Sequence, residues 1–286
     1  MRIALLQAAA VPLDVDHDLA VIDAAAADAA ARGAELLLTP ELFPVGYAPA
    51  RIRAELTDTT IEDAAVRLAA IARRHGIALV HSLPSPADPH RGITATLVDA
   101  AGTVRGVHTK THLFGPAEQE AFRPGEARPP LVELGGLTLG LLICYEVEFP
   151  ETVRDLAVRG ADVVLVPTAL AGCPTVARTL VPARAVENGI TVAYANHCGL
   201  EDGLVFDGES VVAGPDGAPA PRLEAGPEPA SSSAEVAPAR AGGDPELLVA
   251  EVGPARGHLT PHQDPDGPWY LHDRRPALYR RWAEED

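Results

Sequence analysis

At 286 residues, with 47% hydrophobic and 22% charged side chains, the chain carries enough apolar material to bury a substantial core without staples. Its 40 Asp and Glu outnumber 23 Lys and Arg, and the net charge of -17 argues against a nucleic-acid partner, because neutralising phosphates needs clustered cations. Three cysteines, Cys144, Cys173 and Cys198, are an odd number with no CxxC or CxxH spacing, which excludes a disulfide framework and a zinc-finger pattern and predicts a reducing, cytoplasmic setting.

Residues 2–9 predict a strand. Arg2 and the alanine run give this terminus a faint signal-peptide look, but Gln7 interrupts its short apolar core, and it reads as a strand entering a loop at Pro12. No run approaches the length of a transmembrane helix, so no membrane partner is expected. Asp14, Asp16 and Asp18 offer N-caps for an Ala-rich helix that stops at Gly33. Residues 36–38 form a second buried strand ending at Thr39-Pro40-Glu41. A capping-box pattern of Thr60 with Asp63 opens a helix through Ala65, Leu68, Ala69 and Ile71 to Gly76, and residues 77–81 are the next strand.

Past Pro84 the pattern changes. Residues 93–98 and 104–108 flank a turn at Asp99 to Gly102, and residues 131–134 and 137–143 flank Gly135-Gly136, so both pairs predict hairpins. A helix over 151–159 leads to a strand at 162–166, and a helical segment ending near Asn188-Gly189 leads to a strand at 190–195. Residues 208–213 and 247–252 predict late strands. Between them, 217–244 is rich in Pro, Ala, Gly, Ser and Glu, a flexible surface excursion within a single domain over 1–286. Crossovers mixed with hairpins imply an α/β fold with a mixed sheet, or two sheets, covered by helices. The tail, 270–282, carries Tyr270, Leu271, Leu278, Tyr279 and Trp282 among arginines, a pattern suited to packing on a partner subunit.

Three predicted strands end on a chemically useful group: Glu41, Lys110 and Cys144. Each alone is weak evidence, since a glutamate or lysine after a strand is ordinarily a solvated charge and a cysteine after an apolar run is ordinarily a small buried hydrophobe. Together a carboxylate, an ammonium and a thiol are the kit for acyl transfer, with Glu accepting the thiol proton, Cys attacking a carbonyl-like carbon and Lys steadying the oxyanion. His108 and His112 bracket Lys110 and read as a metal pair, but no Cys, Asp or Glu completes the set, so neither metal nor cofactor is expected.

The segments PELFPVGY, KTHLFG and LLICYEVEFPE, in this order, resemble the Glu, Lys and Cys motifs of the nitrilase superfamily of carbon-nitrogen hydrolases. The resemblance extends through LVPTAL, VPARAVENG and VAYANHCG to the GES, GPDG and DRRPALY segments, leaving out only 217–244. It implies an α-β-β-α sandwich that pairs into a homodimer, with Glu41 as general base, Lys110 as oxyanion stabiliser and Cys144 as nucleophile. It further implies a second glutamate, matched by Glu118 in GPAEQEAFRPGE with Glu120 as the neighbouring alternative. Tyr145 follows the nucleophile and offers a backbone N–H to the oxyanion; Tyr47, Phe149, Thr168 and Asn196 match regions that border the substrate pocket in relatives. A free cysteine needs a nearby cation to favour its thiolate, and an adjacent carboxylate can take the Cys144 proton during attack. Where amidases of the family commonly carry Cys-Tyr-Asp, this chain has Cys144-Tyr145-Glu146, which bears on the pocket wall and hence on substrate size.

The implied activity is hydrolysis of a small carboxamide to a carboxylate and ammonia through a cysteine thioester. A nitrilase or an N-carbamoyl hydrolase uses the same residues, and a catalytically silent scaffold retaining the fold is the alternative of another class.

Overall fold

The computed structural model describes residues 1–87, 90–219, 245–255 and 270–284. β1 (Arg2–Gln7), α1 (Val15–Ala31), β2 (Leu36–Leu38), α2 (Pro49–Glu55), α3 (Asp58–His75) and β3 (Ala78–Pro84) lead into the hairpin β4 (Ile93–Val98) and β5 (Val104–Thr109). After α4 (Gly115–Ala121) comes the hairpin β6 (Leu131–Leu134) and β7 (Leu137–Leu141), then α5 (Pro150–Val158), β8 (Val163–Thr168), α6 (Val181–Asn188) and β9 (Thr191–Asn196). β10 (Cys198–Glu201), β11 (Leu204–Asp207), β12 (Val211–Ala213), β13 (Glu246–Glu251) and α7 (Pro276–Ala283) follow.

Two large sheets, ordered β13-β1-β2-β3-β4-β5 and β12-β9-β8-β7-β6, are accompanied among the described residues by a two-stranded sheet, β10-β11. Within each large sheet, three central strands run parallel, β1-β2-β3 and β7-β8-β9, while the outer strands are antiparallel. Strand alternation sets the layers. Ile3, Leu5, Leu36 and Leu38 meet Leu139, Leu141, Val163 and Leu165 between the sheets. The intervening Ala4, Leu6 and Leu37 pack with Ile22, Ala26, Leu68 and Ile71 of α1 and α3. On the far side, Val164, Val166 and Val192 pack with Val153, Leu156, Val181 and Ala185 of α5 and α6. This is the expected α-β-β-α sandwich, with mixed sheets inside and helices on both faces.

Local signals account for most element ends. The Asp14 side chain accepts from His17 N at 3.1 Å and caps α1. α3 begins earlier than the capping-box pattern predicts: Thr57, in extended backbone, is the N-cap and accepts from Thr60 N at 3.2 Å, so Thr60 lies inside the helix. α5 lies so close to β7 that a Cβ on Gly140 would stand 2.9 Å from Leu156 Cδ1, and this contact seats the strand that delivers Cys144. The predicted excursion at 217–244 falls outside the described residues from residue 220 onward. Among the described residues no helix is long and apolar enough to cross a membrane.

Candidate active site

The carboxyl ends of the parallel strands converge, as open α/β sheets dictate for their ligand sites. Glu41 stands just beyond β2. The Thr39 N–H donates to the Val80 carbonyl at 3.0 Å and that of Glu41 to the Thr168 carbonyl at 3.2 Å, so this strand end is tied to both sheets. Lys110 follows β5, where its own N–H donates to the Ile93 carbonyl at 2.8 Å and its carbonyl accepts from Gly125 N at 2.8 Å. A side chain at 125 would put Cβ 2.6 Å from the Thr109 carbonyl, so only glycine permits that approach. Cys144 lies beyond β7 in left-handed backbone, φ 49°, and opens the 3-10 turn Cys144–Glu148. Such a conformation costs about 1–2 kcal/mol for a residue other than glycine. Glu118 lies on α4, where it is the one fully buried residue of the helix.

All three polar members are wholly buried and joined. Lys110 Nζ donates to Glu41 Oε1 at 2.7 Å and to both oxygens of Glu118 at 2.9 Å. Glu118 accepts further from Tyr47 OH at 2.7 Å and Phe114 N at 2.7 Å. Glu41 Oε2 is buried and makes no hydrogen bond of ordinary geometry among the described residues, while the Cys144 thiol lies near enough to act on the carboxylate.

Two carboxylates surround one ammonium, so with both ionised the cluster carries one net negative charge. Burial raises Glu41 to about 7, with the Glu118 charge adding to the rise and Lys110 opposing it. The two carboxylates hold Lys110 protonated well above the ordinary lysine range despite its burial. Burial and the Glu41 charge push the Cys144 thiol well up; Lys110 and the Ala169 N–H oppose this without overcoming it. The lysine's charge is already shared with two carboxylates, so it does not draw Cys144 toward a thiolate.

Glu146 does not form a pocket wall. It is fully buried and turned back to bind Ile143 N at 2.7 Å, Thr111 N at 2.8 Å, Thr111 Oγ1 at 2.6 Å and His108 Nε2 at 2.8 Å. These bonds hold the carboxylate below its ordinary range against the cost of burial, and they clamp the strained Cys144 turn to the segment carrying Lys110. Arg184, from VPARAVENG, secures the same turn through the Val147 and Glu148 carbonyls at 3.1 and 2.7 Å.

Of the other expected site residues, Tyr145 and Phe149 are half-buried and pack edge to face at 4.9 Å, with Phe114 at 5.3 Å from Tyr145. Tyr47 is engaged with Glu118. Thr168 contributes its carbonyl to Glu41. Both Asn196 N–H groups are already given, to the Leu170 carbonyl at 3.0 Å and the Gly208 carbonyl at 2.8 Å. His108 and His112 part company, His108 to Glu146 and His112 stacked on Phe149 at 4.3 Å. The sequence does not single out Glu146 as a clamp, nor His197 and Glu201, which lie behind Glu41; the one available signal for Glu201 is the Asp202-Gly203 hairpin turn that follows it.

An amidase from Nesterenkonia sp. is 51% identical in sequence, with a TM-score of 0.84 over 99% of this chain and 96% of its own. A variant of that amidase has been solved with the acetamide moiety of fluoroacetamide added covalently at its active-site cysteine. The hydrolase in the pqqF 5' region of Pseudomonas protegens is 42% identical over 223 residues, 76% of each chain. An (R)-stereoselective amidase from Pseudomonas sp. is 34% identical over 226 residues, 76% of this chain and 78% of its own. The family model for carbon-nitrogen hydrolases matches residues 2–243, and the chain belongs to that family.

Proposed function

We propose that this protein is a cysteine-dependent amidase that hydrolyses the C–N bond of a small carboxamide to a carboxylate and ammonia. The observation that carries the reading is the buried Glu41–Lys110–Glu118 cluster beside Cys144, with one Glu41 oxygen left without an ordinary hydrogen bond. The covalent acetamide adduct on the cysteine of the Nesterenkonia amidase supports it.

In this reading Glu41 takes the thiol proton as Cys144 Sγ bonds to the amide carbon. Charge gathers on the carbonyl oxygen, where Lys110 and the Tyr145 N–H donate to it. Lys110 meets both oxygens of Glu118, and sharing one N–H between them leaves another for the oxyanion. The C–N bond breaks as Glu41 returns its proton to the nitrogen, which leaves as ammonia. Glu41 then deprotonates water for attack on the thioester, the carboxylic product departs, and the proton returns to the sulfur. A thiol that is neutral at rest makes Glu41 indispensable in the first step. Glu118 holds Lys110 and raises the basicity of Glu41. Tyr145 and Phe149, half-buried, meet the substrate, whereas Tyr47, Thr168 and Asn196 act as framework.

Three wider readings go with it. A single domain over 1–286 is supported by β13, from late in the chain, lying beside β1. A cytoplasmic, reducing setting is supported by three free cysteines. A homodimer is supported by Tyr270, Tyr279 and Trp282, which are 39%, 43% and 55% exposed. Ammonia release from matched amides, nitriles and N-carbamoyl compounds tests the activity: amides are turned over fastest, and preference for a nitrile or carbamoyl substrate overturns the reading in favour of that branch.

A further inference from the structure

Behind Glu41 lies a second buried ion pair, outside the reacting atoms. The side chains of His197 and Glu201 are wholly buried, with His197 Nδ1 2.7 Å from Glu201 Oε1 and Nε2 2.6 Å from the main-chain carbonyl of Glu41. A carbonyl has no proton to give, so Nε2 carries a hydrogen and donates it. Glu201 already accepts from Ala10 N at 2.8 Å and from Tyr47 N at 3.3 Å, one N–H on each oxygen, which is the pattern of an ionised carboxylate. Nδ1 therefore donates as well, and the ring is an imidazolium. Phe43 and Phe206 lie against it, with ring centroids at 5.5 and 5.2 Å, close enough for their π systems to favour a cation. The charged groups that face it are Glu201 and Glu41, and Glu201 acts in turn on Asp18 and the Cys198 thiol; burial opposes the charge, and the two glutamates hold the ring's pKa above its ordinary value.

The pair touches both halves of the proposed catalytic cluster. His197 holds Glu41 by its carbonyl. Glu201 holds the main chain of Tyr47, whose hydroxyl donates to Glu118 at 2.7 Å. The hydrogen bonds thus close a ring from Glu41 through His197, Glu201, Tyr47, Glu118 and Lys110 back to Glu41. We propose that the His197–Glu201 ion pair is a positioning device that sets both carboxylates gripping Lys110, Glu41 through its main chain and Glu118 through Tyr47. This rests on the amidase reading, and a misplacement of about 1 Å at reacting groups is enough for a hundredfold loss of rate.

The test combines a spectrum with kinetics. In protein labelled with 15N-histidine, His197, assigned by its loss in His197→Gln, is expected to show both ring nitrogens protonated from mildly acidic to mildly alkaline pH. Glu201→Gln is expected to return it to a neutral ring at neutral pH. His197→Ala should lower kcat by about 10- to 100-fold with KM changed by less than about twofold. His197→Gln, which still offers an N–H toward the Glu41 carbonyl, should recover part of that loss, and it decides the matter with Glu201→Gln if His197→Ala does not fold. A neutral ring in the wild type, or folded variants with wild-type kcat, overturns the proposal. If the wild type hydrolyses no amide, the amidase reading alone fails. The pH profile of Cys144 alkylation in a Cys173→Ser background then decides: a profile moved by His197→Gln supports the positioning role, and an unmoved one overturns it.

Discussion

Glu118→Gln removes one of the two carboxylate charges that grip Lys110. The change is nearly isosteric, so α4 and the cavity it fills should persist. The glutamate now accepts a shared N–H of Lys110 on both oxygens, 2.9 Å from each, and one hydrogen bond each from Tyr47 and Phe114. A glutamine keeps its oxygen for Phe114 and Lys110, but turns an NH2 group toward Tyr47 and the same ammonium. Tyr47 can rotate to accept; Lys110 cannot. One charge-assisted bond is therefore lost, about 1.5–3 kcal/mol, which corresponds to about 10- to 150-fold in kcat if the oxyanion feels all of it. Lys110 retains Glu41, so the stability cost stays near the lower end of the roughly 3–5 kcal/mol for breaking a buried pair. A second effect separates chemistry from packing: Glu118 raises the Glu41 pKa, so its neutralisation should move the acid limb of kcat/KM to lower pH. Steady-state ammonia assays across pH, with thermal unfolding as the control for folding, read both. Glu120→Gln, at an exposed position on the same helix, should match the wild type. A folded Glu118→Gln enzyme with wild-type kcat and an unmoved acid limb, or a crippled Glu120→Gln, refutes the reasoning.

For the wild type, activity needs ionised Glu41, raised to about 7, so kcat/KM should fall as pH drops through an apparent value near 7 that belongs to the coupled cluster; a flat profile down to mildly acidic pH contradicts this. Glu146 has a lowered pKa in the fold, so its contribution is present above the ordinary carboxyl pKa and lost as pH falls through the folded value; Glu146→Ala should cost about 2–4 kcal/mol in denaturant unfolding at neutral pH and less in acid. Cys173 is exposed and Cys144 buried, so iodoacetamide should label Cys173 first, and in Cys173→Ser protein a competing amide should slow the labelling of Cys144, as peptide mass mapping would show. Deleting the chain from Pro268 onward should weaken the dimer, and light scattering that finds the same species before and after contradicts that role for the tail.

Glu41, Lys110 and Cys144 are legible in the sequence because each stands just past a predicted strand, the first and last after apolar runs and Lys110 after the second arm of a hairpin, and a strand end is a place that pattern can locate. Glu118 is legible only through family resemblance. α4 buries one polar side chain and no apolar stripe, so nothing periodic marks it as a helix or points its glutamate inward. The protonation of Cys144 follows from how many charges surround one buried lysine, which chain order does not reveal. His197 and Glu201 lie four residues apart, yet their meaning depends on Ala10, Glu41 and Tyr47, brought to them by tertiary packing. The local clue is Asp202-Gly203, with φ 43° and 83°, the turn that folds β10 onto β11 and seats Glu201 behind the site.

The central claim is that Cys144 carries the acyl group of an amide. Rapid acid quench during turnover of a small carboxamide, followed by peptide mass mapping, measures it directly. The acyl mass is expected on the peptide containing Cys144, formed together with a first equivalent of ammonia, and neither adduct nor ammonia is expected from folded Cys144→Ala protein. Sustained ammonia release by that variant, or an adduct confined to another residue, would contradict it.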